Sequence, residues 1–301
     1  MLIRLGTRGS ALARWQAQWV AGQLQKRGIE VQQVIIVTSG DRHRGPIGGE
    51  ARGAFTKEIQ QALLQRRIDL AVHSLKDLPT EPVEGLLVAA VAPRGPAGDV
   101  LVCAGDFTLQ TLPPGAKVAT GSMRRRAQLL HFRRDLDVQP VRGNVDTRLR
   151  KLDSGQFHAL VLAEAGLQRL ELAQRITQRL PMELMLPGVG QGALALEVRA
   201  DDLAAQQAVE PLDDPDTHAA VRAERAMLAA LRGGCLAPVA GWGRVTDGSL
   251  LLTGRVLSPD GSRKIETTQS ADPQQSVALG RRVADILLSH GAAELIAAAR
   301  Q

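Results

Sequence analysis

Two proline- and glycine-rich breaks, Pro93-Arg94-Gly95-Pro96-Ala97-Gly98 and Pro187-Gly188-Val189-Gly190-Gln191-Gly192, constrain the fold of this chain more than any other feature. Proline lacks a backbone N–H and glycine has no side chain to pack, so neither stretch continues a helix or a central strand. Strand and helix patterns alternate before the first break and again between the two, and an apolar strand pattern resumes at 193–198. A block bracketed in this way reads as one domain inserted into another through two crossing segments, which could act as a hinge with a ligand in the cleft between. At 301 residues the chain is longer than one core usually serves, so two or three domains are expected.

In the first block, strand patterns at 2–6, 31–37, 70–72 and 86–92 alternate with helical patterns at 11–27 and 56–67. The inserted block repeats the theme, with strands at 100–103, 116–120, 136–141 and 159–163 and helices from about 122 and 145. Such alternation predicts α/β domains with doubly wound sheets. A third segment opens near Asp213-Asp214-Pro215-Asp216 with a helix carrying Val221, Met227, Leu228 and Leu231. Alternating strands at 239–245 and 250–257 and a closing helix at 275–289 make it a small α+β domain. The expected domains are 1–92 with 193–212, then 98–186, then 213–301.

Composition narrows the function. The net charge of +6 is carried by 31 arginines against 6 lysines. Arginine grips carboxylate and phosphate through a planar fork of donors, so the bias suits a protein handling oxyanions. Nucleic acid is disfavoured, because 2% aromatic content and no tyrosine leave few stacking platforms. No run of eighteen apolar residues exists, and Met1 leads directly into a strand pattern without a signal-peptide profile, so no membrane contact and a cytoplasmic location are expected. Two cysteines are too few for a disulfide framework or a zinc site, and no metal is expected. The run Gly188-Val189-Gly190-Gln191-Gly192 lies between a loop and a strand rather than between a strand and a helix, so no nucleotide cofactor is expected.

The stretch Ile68-Asp69-Leu70-Ala71-Val72-His73-Ser74-Leu75-Lys76-Asp77-Leu78-Pro79 brings a lysine and an aspartate to the carboxyl end of a strand, the edge where open α/β sheets bind ligands. Locally, Lys76 and Asp77 also read as ordinary turn residues before a proline. Leu5-Gly6-Thr7-Arg8-Gly9-Ser10 and Val118-Ala119-Thr120-Gly121-Ser122-Met123-Arg124-Arg125-Arg126 echo one another at strand-to-helix turns, where free N–H groups and the helix dipole favour anions. Arg142-Gly143-Asn144-Val145-Asp146-Thr147-Arg148 repeats the arrangement. Three arginines in a first helical turn oppose the dipole unless something anionic compensates; a solvated charged face is the usual reading of such a run, but the dipole favours contact with a ligand, with at least one of the three turned to solvent or structure. His73 reads as a satisfied structural histidine and Cys103 as a small buried hydrophobe. Cys235, in a glycine-flanked loop beside Arg232, reads equally as a reactive thiolate or a buried loop cysteine. The charged, glycine-rich segment 41–53 reads as a mobile surface loop.

Together these stretches, with Phe55-Thr56-Lys57-Glu58, Glu224-Arg225-Ala226 and Gly233-Gly234-Cys235, resemble one family in order and over nearly the whole chain: porphobilinogen deaminase, or hydroxymethylbilane synthase, of tetrapyrrole biosynthesis (heme and chlorophyll). The resemblance implies a monomer of three α/β domains, the first two like periplasmic binding proteins and the third with a three-stranded antiparallel sheet. It implies a dipyrromethane cofactor held by a thioether to Cys235. Porphobilinogen is the implied substrate, with four units condensed head-to-tail onto that primer, ammonia lost at each addition, and hydroxymethylbilane released by hydrolysis. Asp77 is the implied catalytic carboxylate, stabilising cationic pyrroles. The implied binding residues are Arg8, Ser10, Gln16, Arg52, Ser74, Lys76, Thr120, Ser122, Arg124, Arg125, Arg142, Arg148, Arg169 and Gln191. One departure stands out: the family commonly carries lysines before Phe55, where this chain has Gly48-Gly49-Glu50 and Arg52. The competing reading is a non-catalytic two-domain binding protein for a polyanionic small ligand.

Overall fold

The computed structural model describes residues 1–42, 55–234 and 237–300. The expected loop at 41–53 therefore falls almost wholly outside the described residues. The chain divides into two compact units, Met1–Gly95 with Ala193–His218, and Pro96–Gly192 with Ala219–Gln301.

In chain order the first unit contains β1 (Leu2–Thr7), α1 (Ala11–Gln25), β2 (Glu30–Ile35), α2 (Ser39–Arg42), α3 (Lys57–Leu64), β3 (Leu70–Ser74) and β4 (Leu86–Val91). The second unit follows with β5 (Asp99–Cys103), β6 (Lys117–Ala119), α4 (Met123–Phe132), β7 (Asp137–Gln139), α5 (Val145–Asp153), β8 (Ala159–Ala163), α6 (Glu164–Arg169) and β9 (Gln178–Arg179). The chain then returns to the first unit as β10 (Leu194–Arg199) and α7 (Leu203–Val209). It continues through α8 (Pro215–Ala230), β11 (Val239–Thr246), β12 (Ser249–Leu257), β13 (Lys264–Ala271), α9 (Ser276–Ser289) and α10 (Ala292–Ala298).

The first sheet has the order β2-β1-β3-β10-β4 and the second β7-β6-β8-β5-β9. Both are mixed on one plan: three parallel strands, then an antiparallel strand in fourth place. That fourth strand is β5 in one sheet and β10 in the other, and each directly follows one of the two proline-glycine breaks. The breaks thus exchange one strand for another, as an inserted block requires.

Helices cover both faces of each sheet, which is why the strands are apolar runs rather than alternating patterns. On one face of the first sheet, Ile3, Leu5, Leu70, Val72, Leu196 and Val198 pack against Ala17, Val20 and Leu24 of α1 and Val209 of α7. Ala71 and Ile68 meet Ile59, Ala62 and Leu63 of α3 on the other. Truncating a fully buried leucine such as Leu70 to alanine is expected to cost about 2–5 kcal/mol. The third sheet, β11-β12-β13, is fully antiparallel. Its inner face (Val239, Leu250, Leu252, Val256) packs on Ala223 and Met227 of α8 and on Leu279, Val283 and Leu287 of α9.

Three features depart from the sequence pattern. The helix expected to reach residue 67 ends at Leu64, because Arg66 turns the chain with a left-handed φ of 55°. Strand β13 alternates between half-buried and exposed and carries little apolar signal, being held by its pairing with β12. Cys103 is half-buried rather than buried: its thiol donates to the Phe107 carbonyl at 3.3 Å, and burial pushes it up to about 11.

Candidate active site

The buried run of β3 ends in a single tight turn, Leu75–Asp77, closed by the Leu78 N–H on the Leu75 carbonyl at 3.1 Å. Leu75 is buried and its N–H donates to the Ala193 carbonyl at 3.0 Å. Ser74 is tied to the buried Gln16 amide of α1, Nε2 to Oγ at 2.8 Å. These anchors leave Lys76 and Asp77 exposed on the turn.

A recess of about 60 Å³ opens beside this turn, lined among others by Arg8, Ser10, Gln16, Phe55, Ser74 and Asp77. The Arg8 guanidinium carbon lies 4.1 Å from the centroid of the Phe55 ring, a cation–π contact that orients it. Ser10 caps α1, accepting from the Ala13 N–H at 3.3 Å. The first unit thus gathers five of the expected site residues around one opening.

In the second unit the loops before α4 and α5 lie against each other. A Cβ on Gly121 would meet the Val141 carbonyl oxygen at 2.8 Å, and Gly143 has a left-handed φ of 110°, so both turns need glycine. Ser122 and Asn144 cap the two helices, accepting from the N–H groups of Arg125 and Thr147. Thr120 is buried and its hydroxyl accepts from the Ser122 N–H at 3.2 Å. Arg142 is exposed, and Arg148 is half-buried with Nε on the Gly143 carbonyl at 2.8 Å. Arg169 donates to the Gly192 carbonyl at 2.6 Å, and burial lowers its guanidinium to about 10.

Arg124 and Arg125 have an anion, and it is internal. Asp99, at the start of β5, is 1% exposed; its Oδ2 accepts from Arg124 Nη1 at 2.7 Å and its Oδ1 from Arg125 Nη2 at 2.7 Å. Gln191 joins them, donating from Nε2 to Asp99 Oδ1 at 2.8 Å and to the Ala97 carbonyl at 2.7 Å. Burial alone would raise the Asp99 carboxyl, but the two guanidinium groups hold it well below the usual carboxylate range. Burial lowers Arg124 in turn, and Asp99 opposes that shift. The third arginine, Arg126, bonds the Val138 carbonyl. The anion that faces Arg124 and Arg125 is thus Asp99 of the chain itself, where contact with a ligand was expected.

Sequence reasoning missed the buried acids. Besides Asp99, Glu197 of β10 accepts from His73 Nε2 at 2.8 Å and from Gln60 Nε2 at 2.9 Å. Glu224 of α8 accepts from the Gly190 and Gly243 N–H groups, each at 2.7 Å. An acid inside an apolar strand, as in Leu194-Ala195-Leu196-Glu197-Val198, is the signal that could have found one of them. His73 is the satisfied histidine expected. Arg52 and Cys235 lie outside the described residues.

The fold and these residues define the class: an α/β protein with two mixed sheets on one plan, arginine-bearing strand-to-helix turns, and a carboxylate at the end of a buried strand. Comparison with known proteins makes the assignment narrower. Residues 3–207 match the family model described as porphobilinogen deaminase, dipyromethane cofactor binding domain, and residues 218–289 match the porphobilinogen deaminase C-terminal domain. The chain belongs to the porphobilinogen deaminase family. A porphobilinogen deaminase of Desulforudis audaxviator is 49% identical, the match covering 98% of this chain and 97% of its own. One of Geobacter sulfurreducens is 45% identical over 98% and 94%. Among solved structures, a TRAP periplasmic solute binding protein from Desulfovibrio salexigens matches with a TM-score of 0.44 at 12% identity, covering 71% of this chain and 72% of that one.

Proposed function

We propose that the chain is a hydroxymethylbilane synthase, condensing four porphobilinogen molecules head-to-tail with loss of ammonia and releasing the linear tetrapyrrole by hydrolysis. The observation that carries this reading is the meeting of Asp77, Arg8 and Ser10 around one recess at the carboxyl end of β3. Each porphobilinogen brings an acetate and a propionate, and the Arg8 guanidinium on the lining of the recess is the group to meet such a carboxylate. Charge-assisted contacts of this kind are worth about 1.5–3 kcal/mol each.

Asp77 acts where positive charge develops. Loss of ammonia from porphobilinogen leaves a cationic pyrrole, and a fixed carboxylate accepting its ring N–H stabilises that charge. The same carboxylate takes and returns a proton during deamination. Lys76, exposed beside it, and Arg142, Arg148 and Arg169 of the second unit serve the acidic side arms. Arg124, Arg125 and Gln191 act one layer behind, holding β5 and the 187–192 segment through Asp99.

The family's dipyrromethane group fits the donor chemistry, since two packed helix N-terminal turns with Thr120, Ser122, Arg142 and Arg148 suit a ligand bearing several carboxylates. Cys235 would hold it by a thioether, and when bound it supplies the pyrrole carbon to which substrate units are added. The residues named here orient its acidic arms.

Purified protein given porphobilinogen tests the reading. Ammonia and hydroxymethylbilane are expected in a ratio of four to one, from protein heavier than its sequence by two pyrrole units. Saturable binding of porphobilinogen without ammonia would favour the non-catalytic binding protein. A monomer working in the cytoplasm belongs to the same proposal; among the described residues no helix is long and apolar enough to cross a membrane.

A further inference from the structure

We infer that Glu197 is a positioning residue for Asp77, acting through His73 and Gln60 from inside the first sheet. Glu197 is 4% exposed on a strand whose other residues are all buried. Burying an acid there is destabilising unless every oxygen finds a donor, and both do: Oε1 takes Gln60 Nε2 and Oε2 takes His73 Nε2. The three residues come from three elements. β10 runs antiparallel to β3 with Ala195 opposite His73 and Glu197 opposite Ala71, so the contact with His73 is diagonal across the pair. Gln60 reaches in from α3.

The anchors form a series that leads to the proposed catalytic turn. His73 is held by Glu197, Ser74 by Gln16 at 2.8 Å, and Leu75 by the Ala193 carbonyl at 3.0 Å. Only Lys76 separates the last of these from Asp77. Sheet stability does not require the polar version, since apolar residues of similar volume in place of a buried acid–base pair are often neutral or stabilising. Hydrogen bonds instead fix ring angle and strand register directionally, which a catalytic carboxylate needs and a hydrophobic contact does not provide. The inference rests on Asp77 being the catalytic carboxylate.

Three changes in the cofactor-loaded enzyme test it: Glu197→Ala, Glu197→Gln, and Glu197→Leu combined with His73→Leu. Loaded fraction is read by intact mass, stability by melting, and the order of the turn by hydrogen exchange at amides 75–78. A misplacement near 1 Å lowers rate by about a hundredfold, so Glu197→Ala is expected to lose about 10- to 100-fold in kcat with KM held within about twofold. Glu197→Gln, which still offers His73 an acceptor, is expected to recover most of that loss. The double leucine variant, which leaves the Gln60 amide without its Glu197 acceptor, is expected to melt only modestly below the parent yet show the same kcat defect, and it carries the test if Glu197→Ala does not fold. Exchange at 75–78 is expected to quicken in the alanine and leucine variants alone. Parental kcat per loaded molecule in the double leucine variant, or exchange that ignores every substitution, overturns the inference. Parent protein inert toward porphobilinogen whose exchange still responds sinks the assigned reaction and upholds the positioning.

Discussion

Replacing Asp99 by asparagine removes the counter-charge of two buried guanidinium groups while keeping the shape of the side chain. Asp99 Oδ1 accepts from Arg125 Nε at 3.1 Å, Arg125 Nη2 at 2.7 Å and Gln191 Nε2 at 2.8 Å, and Oδ2 accepts from Arg124 Nη1 at 2.7 Å. An asparagine would keep its carbonyl toward the three donors and turn its NH2 group on Arg124, donor against donor. Removing one member of a buried ion pair costs about 3–5 kcal/mol. At roughly 2–4 °C per kcal/mol for a cooperative unit of 150–250 residues, Asp99→Asn should melt on the order of 10 °C lower at neutral pH. The pH dependence follows from the depressed folded pKa: the contribution of Asp99 is full above its unfolded value of about 3.9 and fades as pH falls through the folded one. The melting gap between parent and variant should therefore hold from about pH 5 upward and narrow on strong acidification. Calorimetry across that range checks both statements. A variant melting within about 2 °C of the parent while binding porphobilinogen more tightly would refute the reasoning, because Arg124 and Arg125 would then be ligand anchors that Asp99 merely occupies.

Asp77→Asn and Asp77→Ala should fold and melt like the parent, since the side chain is exposed, yet lose nearly all ammonia release; parental rates from either remove Asp77 from the mechanism. Cys235→Ser should carry no thioether-linked pyrrole, and intact mass showing the full two-ring adduct on it would move the attachment elsewhere. Asp69, just before β3 of the first sheet, is a structural acid: burial would raise it, but hydrogen bonds from the Arg4 side chain and backbone and from Arg199 lower it to about 2. The stabilisation that goes with this depression is present above pH ~4 and lost as pH falls through 2, so denaturant unfolding of Asp69→Asn should lack this part of the acid decline.

Much of the fold was legible in the sequence because its signals are local. The two proline-glycine breaks mark where β4 and β9 give way to other segments, and each strand they introduce, β5 and β10, takes the antiparallel place in its sheet. Apolar runs such as Leu70-Ala71-Val72 show plainly because helices bury both faces. Strand β13, Lys264–Ala271, was invisible to periodicity, being an edge strand whose pairing with β12 does the work that apolar residues do elsewhere. Arg66, next to last in the helix expected over 56–67, gave no warning of its left-handed backbone, since arginine seldom adopts it.

The site was legible in its residue types and opaque in its partners, and the reason is the same for each. Read locally, Lys76-Asp77 is a turn before a proline, and nothing within four residues distinguishes it. What distinguishes it is support from far along the chain: Gln16 under Ser74, Ala193 under Leu75, and Glu197 under His73. The arginine cluster behaves likewise. Three arginines at the start of α4 called for an anion, and the helix dipole pointed to a ligand where the chain supplies an acid of its own. Asp99 answers for two of them from 25 and 26 residues away, and Gln191 closes the cluster from the far break. A buried acid serves this purpose better than an exposed one: in a low-dielectric surrounding its hydrogen bonds are stronger and leaving any of them unmade is heavily penalised, so the loops it holds keep one arrangement. Asp99 and Glu197 thus stand behind the two places where the chain is proposed to meet its substrate, and disturbing either should move rate or stability before it moves any contact to the substrate itself.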